Sequence, residues 1–136
     1  MKSIFVDTSA LIAIGNKDDD FYERAITIQK KLLQTNHRFL TTNAIILELF
    51  NAFSQTQHKL IAIKFINLIN KSKQWNCLPV DKLIVQGIEM FQNRLDKNWS
   101  LIDCISMKVA KEHGIIDIFT TDHHFEQAGF TILLKK

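Results

Sequence analysis

SIFVDTSAL, residues 3–11, contains the first predicted strand and the start of the first predicted helix. Its apolar run has the length of a short buried strand and stops at Asp7. Residues 8–16 then have the pattern of a short helix that opens on a hydroxyl cap. The same succession of a short apolar run and a helical segment recurs along the rest of the chain, so this stretch sets the pattern for the whole fold.

Along the rest of the chain, the hydrophobic periodicity predicts alternating strands and helices. Strands are predicted at 3–7, 38–42, 75–80, 117–121 and 131–134. Helices are predicted at 8–16, from an acidic cap at 18–20 to about 35, 43–55, 57–73, 81–93 and 100–113, with a short helical turn at 125–128. Strands that alternate with helices need crossover connections, which produce parallel pairing. The predicted fold is α/β, a three-layer α/β/α sandwich with a mainly parallel central sheet.

The composition is that of one globular domain spanning residues 1–136. Apolar residues make up 46% of the chain and charged residues 23%, with a net charge of +3. This mild positive charge is compatible with a polyanionic partner without indicating one. No apolar run approaches the roughly 20 residues of a membrane span, and the N-terminus lacks a signal-peptide pattern. Cys77 and Cys104 fit neither a disulfide framework nor a metal knuckle, so we expect them in the core of a cytoplasmic protein.

Two predicted strands end in an acid beside hydroxyl residues. Asp7 follows the first strand, with Thr8 and Ser9 behind it, and Asp122 follows Thr121. Ligands of parallel sheets bind beyond the carboxyl ends of the strands, near a switch in strand order. A helix cap would explain Asp7 alone equally well, but two matching acids favour a shared site.

Glu48 is the only charged residue in the predicted helix 43–55. A helix that buries nearly all its circumference has no solvated face for a glutamate, so Glu48 either reaches solvent through a gap or points into a polar cavity. We favour the cavity, with Asn51 one turn further along the same side.

Asp103 lies in WSLID, residues 99–103. Ser100 and Asp103 have the spacing of a capping box, which gives this carboxylate a purely structural explanation. On spacing alone the structural role of Asp103 is the better supported one.

Four carboxylates in one place would repel each other unless a cation neutralises them. Oxygen ligands suit Mg²⁺ or Mn²⁺, which can drive in-line hydrolysis of a phosphodiester. In such a site, Asp7 and Asp122 would ligate the metal directly, and Glu48 and Asp103 would hold metal-bound water or a second ion. Thr8, Ser9 and Thr121 would orient these carboxylates or donate to phosphate.

The motifs VDTSAL at 6–11, Glu48, WSLID at 99–103 and TTDHHF at 120–125 resemble the acidic motifs of PIN domains, in order and in approximate spacing. Within that family the chain is most similar to the VapC-type toxins of bacterial toxin–antitoxin pairs. The resemblance implies a Mg²⁺- or Mn²⁺-dependent endoribonuclease, often homodimeric and inhibited by a cognate antitoxin protein. It also implies that Asp7, Glu48, Asp103 and Asp122 form one acidic quartet, which overrides the structural reading of Asp103.

Other functions are weighed against this one. A zinc site at His123 and His124 is disfavoured, because no further histidine or cysteine has ligand spacing; contact with RNA phosphate or a loop role is preferred. Haloacid-type phosphatases need Asp-x-Asp after the first strand, and phosphoryl-transfer receivers need an aspartate at the end of a middle strand; this chain has neither. The alternatives that remain are a PIN-like module that binds RNA or protein without cleavage, and a PIN nuclease of RNA processing.

Overall fold

The computed structural model describes residues 2–135, so two members of the predicted domain 1–136, Met1 and Lys136, lie outside the described residues. The strands are β1 (Ser3–Val6), β2 (Arg38–Thr42), β3 (Trp75–Leu78), β4 (Asp117–Phe119) and β5 (Thr131–Ile132). The helices are α1 (Thr8–Gly15), α2 (Tyr22–Gln34), α3 (Asn43–Ala52), α4 (Lys59–Lys71), α5 (Ile84–Asn93), α6 (Leu101–Glu112) and α7 (His124–Gln127). Within residues 2–135, no helix has the length and apolar character needed to cross a bilayer.

The five strands form one parallel sheet in the order β3-β2-β1-β4-β5, which confirms the predicted fold class. The chain runs outward from β1 through β2 to β3, then returns to the other side of β1 for β4 and β5. The strand order therefore reverses between β1 and β4. A crevice for ligands is expected beyond the carboxyl ends of these two strands.

Helices cover both faces of the sheet because the central strand is apolar on both. Successive residues Ile4, Phe5 and Val6 of β1 are all at most 1% exposed. Neighbouring side chains of a strand point to opposite faces, so burial of all three requires packing layers on each side.

Close packing of α5 against α6 supports the helix that carries Asp103. A methyl group built on Gly87 of α5 would lie 2.6 Å from a side-chain carbon of Ile105 in α6. Any larger residue at position 87 would push the two helices apart, which makes this glycine a packing requirement.

Two of the predicted helix caps are wrong. At α1 the cap residue is Asp7, whose side chain makes no capping hydrogen bond, because its carboxylate is held by hydroxyl groups from elsewhere. The long helix α2 begins at Tyr22 and not on the acids at 18–20. Asp19 instead accepts a hydrogen bond from the backbone of Phe21 within the preceding turn. The helix predicted at 81–93 begins at Ile84, and residues Asp81–Leu83 form a 3-10 turn before it.

The expectation that α3 buries nearly all its circumference is also wrong. Leu47 is 69% exposed and Phe50 is 37% exposed, so the helix has an apolar face open to solvent. The helix also ends at Ala52 instead of near residue 55. Burial of the whole helix therefore does not require Glu48 to point into a cavity. The contacts of Glu48 show where its side chain lies.

All strands except the second are shorter than predicted. β4 ends at Phe119, so Thr120 and Thr121 belong to the turn that follows it.

Cys104 is buried in the core as expected, whereas Cys77 is only partly buried. Burial raises the pKa of the Cys104 thiol, as does the nearby charge of Asp103.

Candidate metal centre

Asp7 lies at the carboxyl end of β1 and is almost completely buried, with 7% of its surface exposed. Its Oδ2 accepts hydrogen bonds from the hydroxyl of Thr120 at 2.7 Å and from that of Ser9 at 3.1 Å. Loss of hydration raises the pKa of Asp7 from 3.8 to about 6, since these donors offset the burial only in part and the charge of Asp103 adds to the rise. A carboxylate in this state gains strongly from a nearby cation.

Thr120 is a site residue that the sequence argument missed, since it favoured Thr121. Val6 pairs with Phe119, so Asp7 and Thr120 come next on adjacent parallel strands. Thr120 is fully buried, and its oxygen also accepts a hydrogen bond from the backbone N–H of Asp122 at 3.0 Å. Thr121 contributes its backbone N–H to the hydroxyl of Ser9 at 3.0 Å. The signal that would have found Thr120 is the β1–β4 register.

Asp103 occupies the first turn of α6, where it forms the predicted capping box with Ser100. The backbone N–H of Ser100 donates to Oδ2 of Asp103 at 3.1 Å, and the Ser100 hydroxyl accepts from the Asp103 N–H at 3.0 Å. The same Oδ2 lies 3.1 Å from Nδ1 of His124. Asp103 therefore takes part in the cap of its helix and also faces the site. Its structural role in the capping box and its expected role in the acidic site are compatible.

Asp122 follows β4, in the turn that leads into α7. Its Oδ1 accepts a hydrogen bond from the backbone N–H of His124 at 2.9 Å and lies 3.3 Å from Nδ1 of the same residue. The imidazole of His124 thus lies between Asp103 and Asp122. His123 is exposed, with its ring packed 5.0 Å from that of His124. The sequence does not distinguish the two histidines. In the structure His124 contacts Asp103 and Asp122, whereas His123 is exposed.

Glu48 is joined to the β1–α1 turn by one hydrogen bond. The hydroxyl of Thr8, the residue after Asp7, donates to Oε1 of Glu48 at 2.7 Å. Glu48 is partly buried, whereas Asn51, the residue expected beside it, is exposed. The Thr8 hydroxyl therefore holds the glutamate next to the Asp7 end of the crevice.

Two aromatic residues near the site pack in the core. Phe125 is fully buried and anchors the turn after Asp122 in the core. Trp99 is 6% exposed, and its indole N–H donates to the side-chain oxygen of Gln127 at 3.0 Å. Trp99 is thus a packing residue between α6 and α7, and its buried ring is not a stacking platform.

The donor set fits a divalent cation. Asp103, Asp122 and His124 each offer one ligand atom within 4.8 Å of the others, and Asp7 lies close enough for its pKa to respond to the charge of Asp103. Carboxylate oxygens are the ligands that Mg²⁺ and Mn²⁺ prefer, and imidazole nitrogen is accepted by Mn²⁺ more readily than by Mg²⁺. A cation here would offset the loss of hydration and the Asp103 charge, which both raise the pKa of Asp7.

Comparison with known proteins agrees with this architecture. The family model described as the PIN domain matches residues 4–131. VapC20 of Mycobacterium tuberculosis, a Sarcin-Ricin loop cleaving toxin, has a similar structure. Its TM-score is 0.80 at 25% sequence identity, over 94% of this chain and 96% of that chain. No curated protein matched the sequence.

Two more distant structures share the fold. FitAcB from Neisseria gonorrhoeae has a TM-score of 0.65 at 17% identity, over 95% of each chain. VapBC2 from Rickettsia felis, bound to a DNA fragment from their promoter, has a TM-score of 0.66 at 13% identity, over 96% of each chain.

Proposed function

This chain belongs to the PIN domain family, and from that premise we propose that it is a Mg²⁺- or Mn²⁺-dependent endoribonuclease. It would hydrolyse RNA phosphodiester bonds at a site formed by Asp7, Glu48, Asp103 and Asp122. We further propose that it is the toxin of a type II toxin–antitoxin pair.

The observation that carries this proposal is the meeting of carboxylates from three separate parts of the chain at the strand-order switch. Asp7 comes from the end of β1, Asp103 from the first turn of α6 and Asp122 from the turn after β4. The helix cap and the hydrogen bonds that these acids make do not remove the mutual repulsion of their charges. A bound cation and a phosphate ligand would offset it, which supports metal-assisted phosphodiester chemistry.

Each carboxylate is oriented by donors of this chain. Asp7 is held by the Ser9 and Thr120 hydroxyls, Asp103 by its own helix cap, and Glu48 by the Thr8 hydroxyl. Preorganised ligands lose little entropy when the cation and the RNA arrive. When bound, the cation would supply Lewis-acid stabilisation of the phosphate charge and activate the attacking water.

RNA is the substrate class that we propose. VapC20, at 25% identity, is a Sarcin-Ricin loop cleaving toxin. That loop is therefore the first RNA to test with this protein. The net charge of +3 is compatible with a polyanionic substrate.

We propose two protein partners, a cognate antitoxin and a second copy of the chain, both met in the cytoplasm. Large apolar side chains are exposed on α3, α4 and α5, including Leu47, Leu60, Val85 and Ile88. Exposed apolar residues that recur on one face of a helix, as Ile84 and Ile88 do on α5, form a patch that supports a contact surface. The similar structure of VapBC2 supports the expectation of an antitoxin partner.

Product analysis tests the reaction. Purified protein is incubated with ribosomal, transfer and messenger RNA fragments in Mg²⁺, in Mn²⁺ and in EDTA, and the new ends are mapped. Attack by water that breaks the P–O3′ bond is expected to leave 5′-phosphate and 3′-hydroxyl ends, and only when metal is present. Cyclic phosphate ends, or equal cleavage in EDTA, would contradict the proposal. RNA binding without cleavage in any metal would favour the non-cleaving module.

A further inference from the structure

We infer that His124 is a metal ligand of this site, and that its nitrogen biases the site toward Mn²⁺ over Mg²⁺. This inference rests on the proposed function, because it concerns the same cation. It goes beyond an all-carboxylate quartet by adding a fifth side chain of different chemistry.

The geometry points to ligation. Nδ1 of His124 lies 3.1 Å from Oδ2 of Asp103 and 3.3 Å from Oδ1 of Asp122. Two ligands at neighbouring positions of an octahedral ion, each about 2.1 Å from it, are themselves about 3 Å apart. These two separations match those of neighbouring ligands on one ion, and a carboxylate oxygen of Asp103 lies within 4.8 Å of one of Asp122.

The backbone keeps the imidazole in this place. The N–H of His124 donates to Oδ1 of Asp122 at 2.9 Å, which fixes the residue against the acid it would share the ion with. The buried ring of Phe125, the next residue, anchors the same turn in the core. Asp103 and Asp122 would hold a cation beside the imidazole, where Nδ1 of His124 would supply a further ligand.

Nitrogen ligation changes which ion the site prefers. Mg²⁺ binds almost entirely through oxygen and keeps its waters, whereas first-row transition metals accept imidazole. A site of two carboxylate oxygens and one imidazole nitrogen therefore discriminates in favour of Mn²⁺.

Electron paramagnetic resonance of protein loaded with MnCl₂ tests this directly. Pulsed spectra are expected to show coupling of Mn²⁺ to one imidazole ¹⁴N in the wild type and in His123→Asn, and no such coupling in His124→Asn. The last variant keeps an N–H donor close to the Nδ1 position but has no nitrogen lone pair to offer. Titration calorimetry is expected to show that the preference for Mn²⁺ over Mg²⁺ falls about tenfold in His124→Asn alone.

The outcomes separate this inference from the proposed function. Tight Mn²⁺ binding without ¹⁴N coupling in the wild type would overturn the role of His124 and leave the carboxylate site standing. Coupling that persists in His124→Asn would also overturn it. Failure of the wild type to bind either ion would overturn both proposals. If His124→Asn did not fold, the wild-type and His123→Asn spectra would still decide whether an imidazole other than His123 binds the ion.

Discussion

Thr120 donates its hydroxyl to Oδ2 of Asp7 at 2.7 Å, although the two residues are 113 positions apart in the chain. The contact exists because β1 and β4 are neighbours in the sheet and end at the same level. The same oxygen of Thr120 accepts the backbone N–H of Asp122. One buried hydroxyl thus joins the two strand-end acids of the site.

Replacement of Thr120 by valine removes this hydroxyl and keeps the side-chain shape. We expect a loss of about 1–3 kcal/mol in the free energy of unfolding, because a buried carboxylate and a backbone N–H each lose a partner. Mn²⁺ affinity is also expected to fall about tenfold, as for other supports of metal ligands. Urea unfolding and calorimetry measure the two effects.

Thr41→Val is the matched control for that variant. Thr41 is equally buried, but its hydroxyl donates to the carbonyl of Val6 and does not touch an acid. It is expected to lower stability while Mn²⁺ affinity stays unchanged. A similar loss of affinity in both valine variants would show that Thr120 acts only through stability.

The raised pKa of Asp7 predicts a pH-dependent stability of the metal-free protein. The unfolded chain loses the Asp7 proton near 3.8, whereas the folded protein keeps it to about 6. Between these values the folded state binds more protons, so the free energy of unfolding falls as pH rises, by about 3 kcal/mol in total. Asp7→Asn lacks this fall. In EDTA it is expected to match the wild type near pH 4 and to exceed it in stability by up to about 3 kcal/mol at pH 7.

Urea unfolding across this range checks the prediction, with Asp117→Asn as the control. Asp117 begins β4 and so lies at the amino end of that strand, whereas the site lies beyond the carboxyl ends of the strands. Its substitution should leave the pH dependence unchanged. A difference between Asp7→Asn and the wild type that stays constant from pH 4 to 7 would refute the desolvation argument.

Thr8 and Glu48 are expected to act as one unit in cleavage. Glu48→Gln should reduce the cleavage rate about a hundredfold, and Thr8→Val should reduce it less, because Thr8 acts by holding Glu48. The double variant is then expected to be no slower than Glu48→Gln alone. Single-turnover rates of the three variants measure this. Fully multiplicative losses would mean that Thr8 has a role of its own.

The exposed apolar residues of α5 predict self-association. Ile84, Ile88 and Phe91 are each 39–47% exposed and recur at helical spacing. Ile88→Glu is expected to convert a dimer into a monomer, because a charge would have to be desolvated in the interface. Light scattering after size exclusion measures the mass, with Glu89→Lys on the same helix as the control. A monomeric wild type at high concentration would contradict this prediction.

The strand and helix pattern was predictable because each element carries its own periodic signal. The runs at 3–7 and 38–42 are apolar enough to be read as buried strands, and both occur. Asp7 and Asp122 could be selected because each follows a strand. Asp103 was selected only by the match to a known set of motifs, because its spacing alone favours a helix cap.

The remaining parts depend on contacts between elements that are distant in sequence. The choice of Thr120 over Thr121 depends on strand register, which no local pattern encodes. His124 differs from His123 only by the direction in which the turn after Asp122 points each ring. The exposed face of α3 was misjudged because an apolar helix looks the same in sequence whether a core or a partner covers it.

The first measurement to make is RNA cleavage by Asp103→Asn, with the wild type and Asp117→Asn for comparison, in Mn²⁺ and in EDTA. It tests whether the acidic cluster is the catalytic centre. Asparagine can keep the helix cap at position 103 while it removes the charge that the cation needs. We predict metal-dependent cleavage by the wild type and Asp117→Asn, and a loss of at least about a hundredfold in folded Asp103→Asn. Undiminished cleavage by Asp103→Asn would show that the acidic cluster is not the catalytic centre.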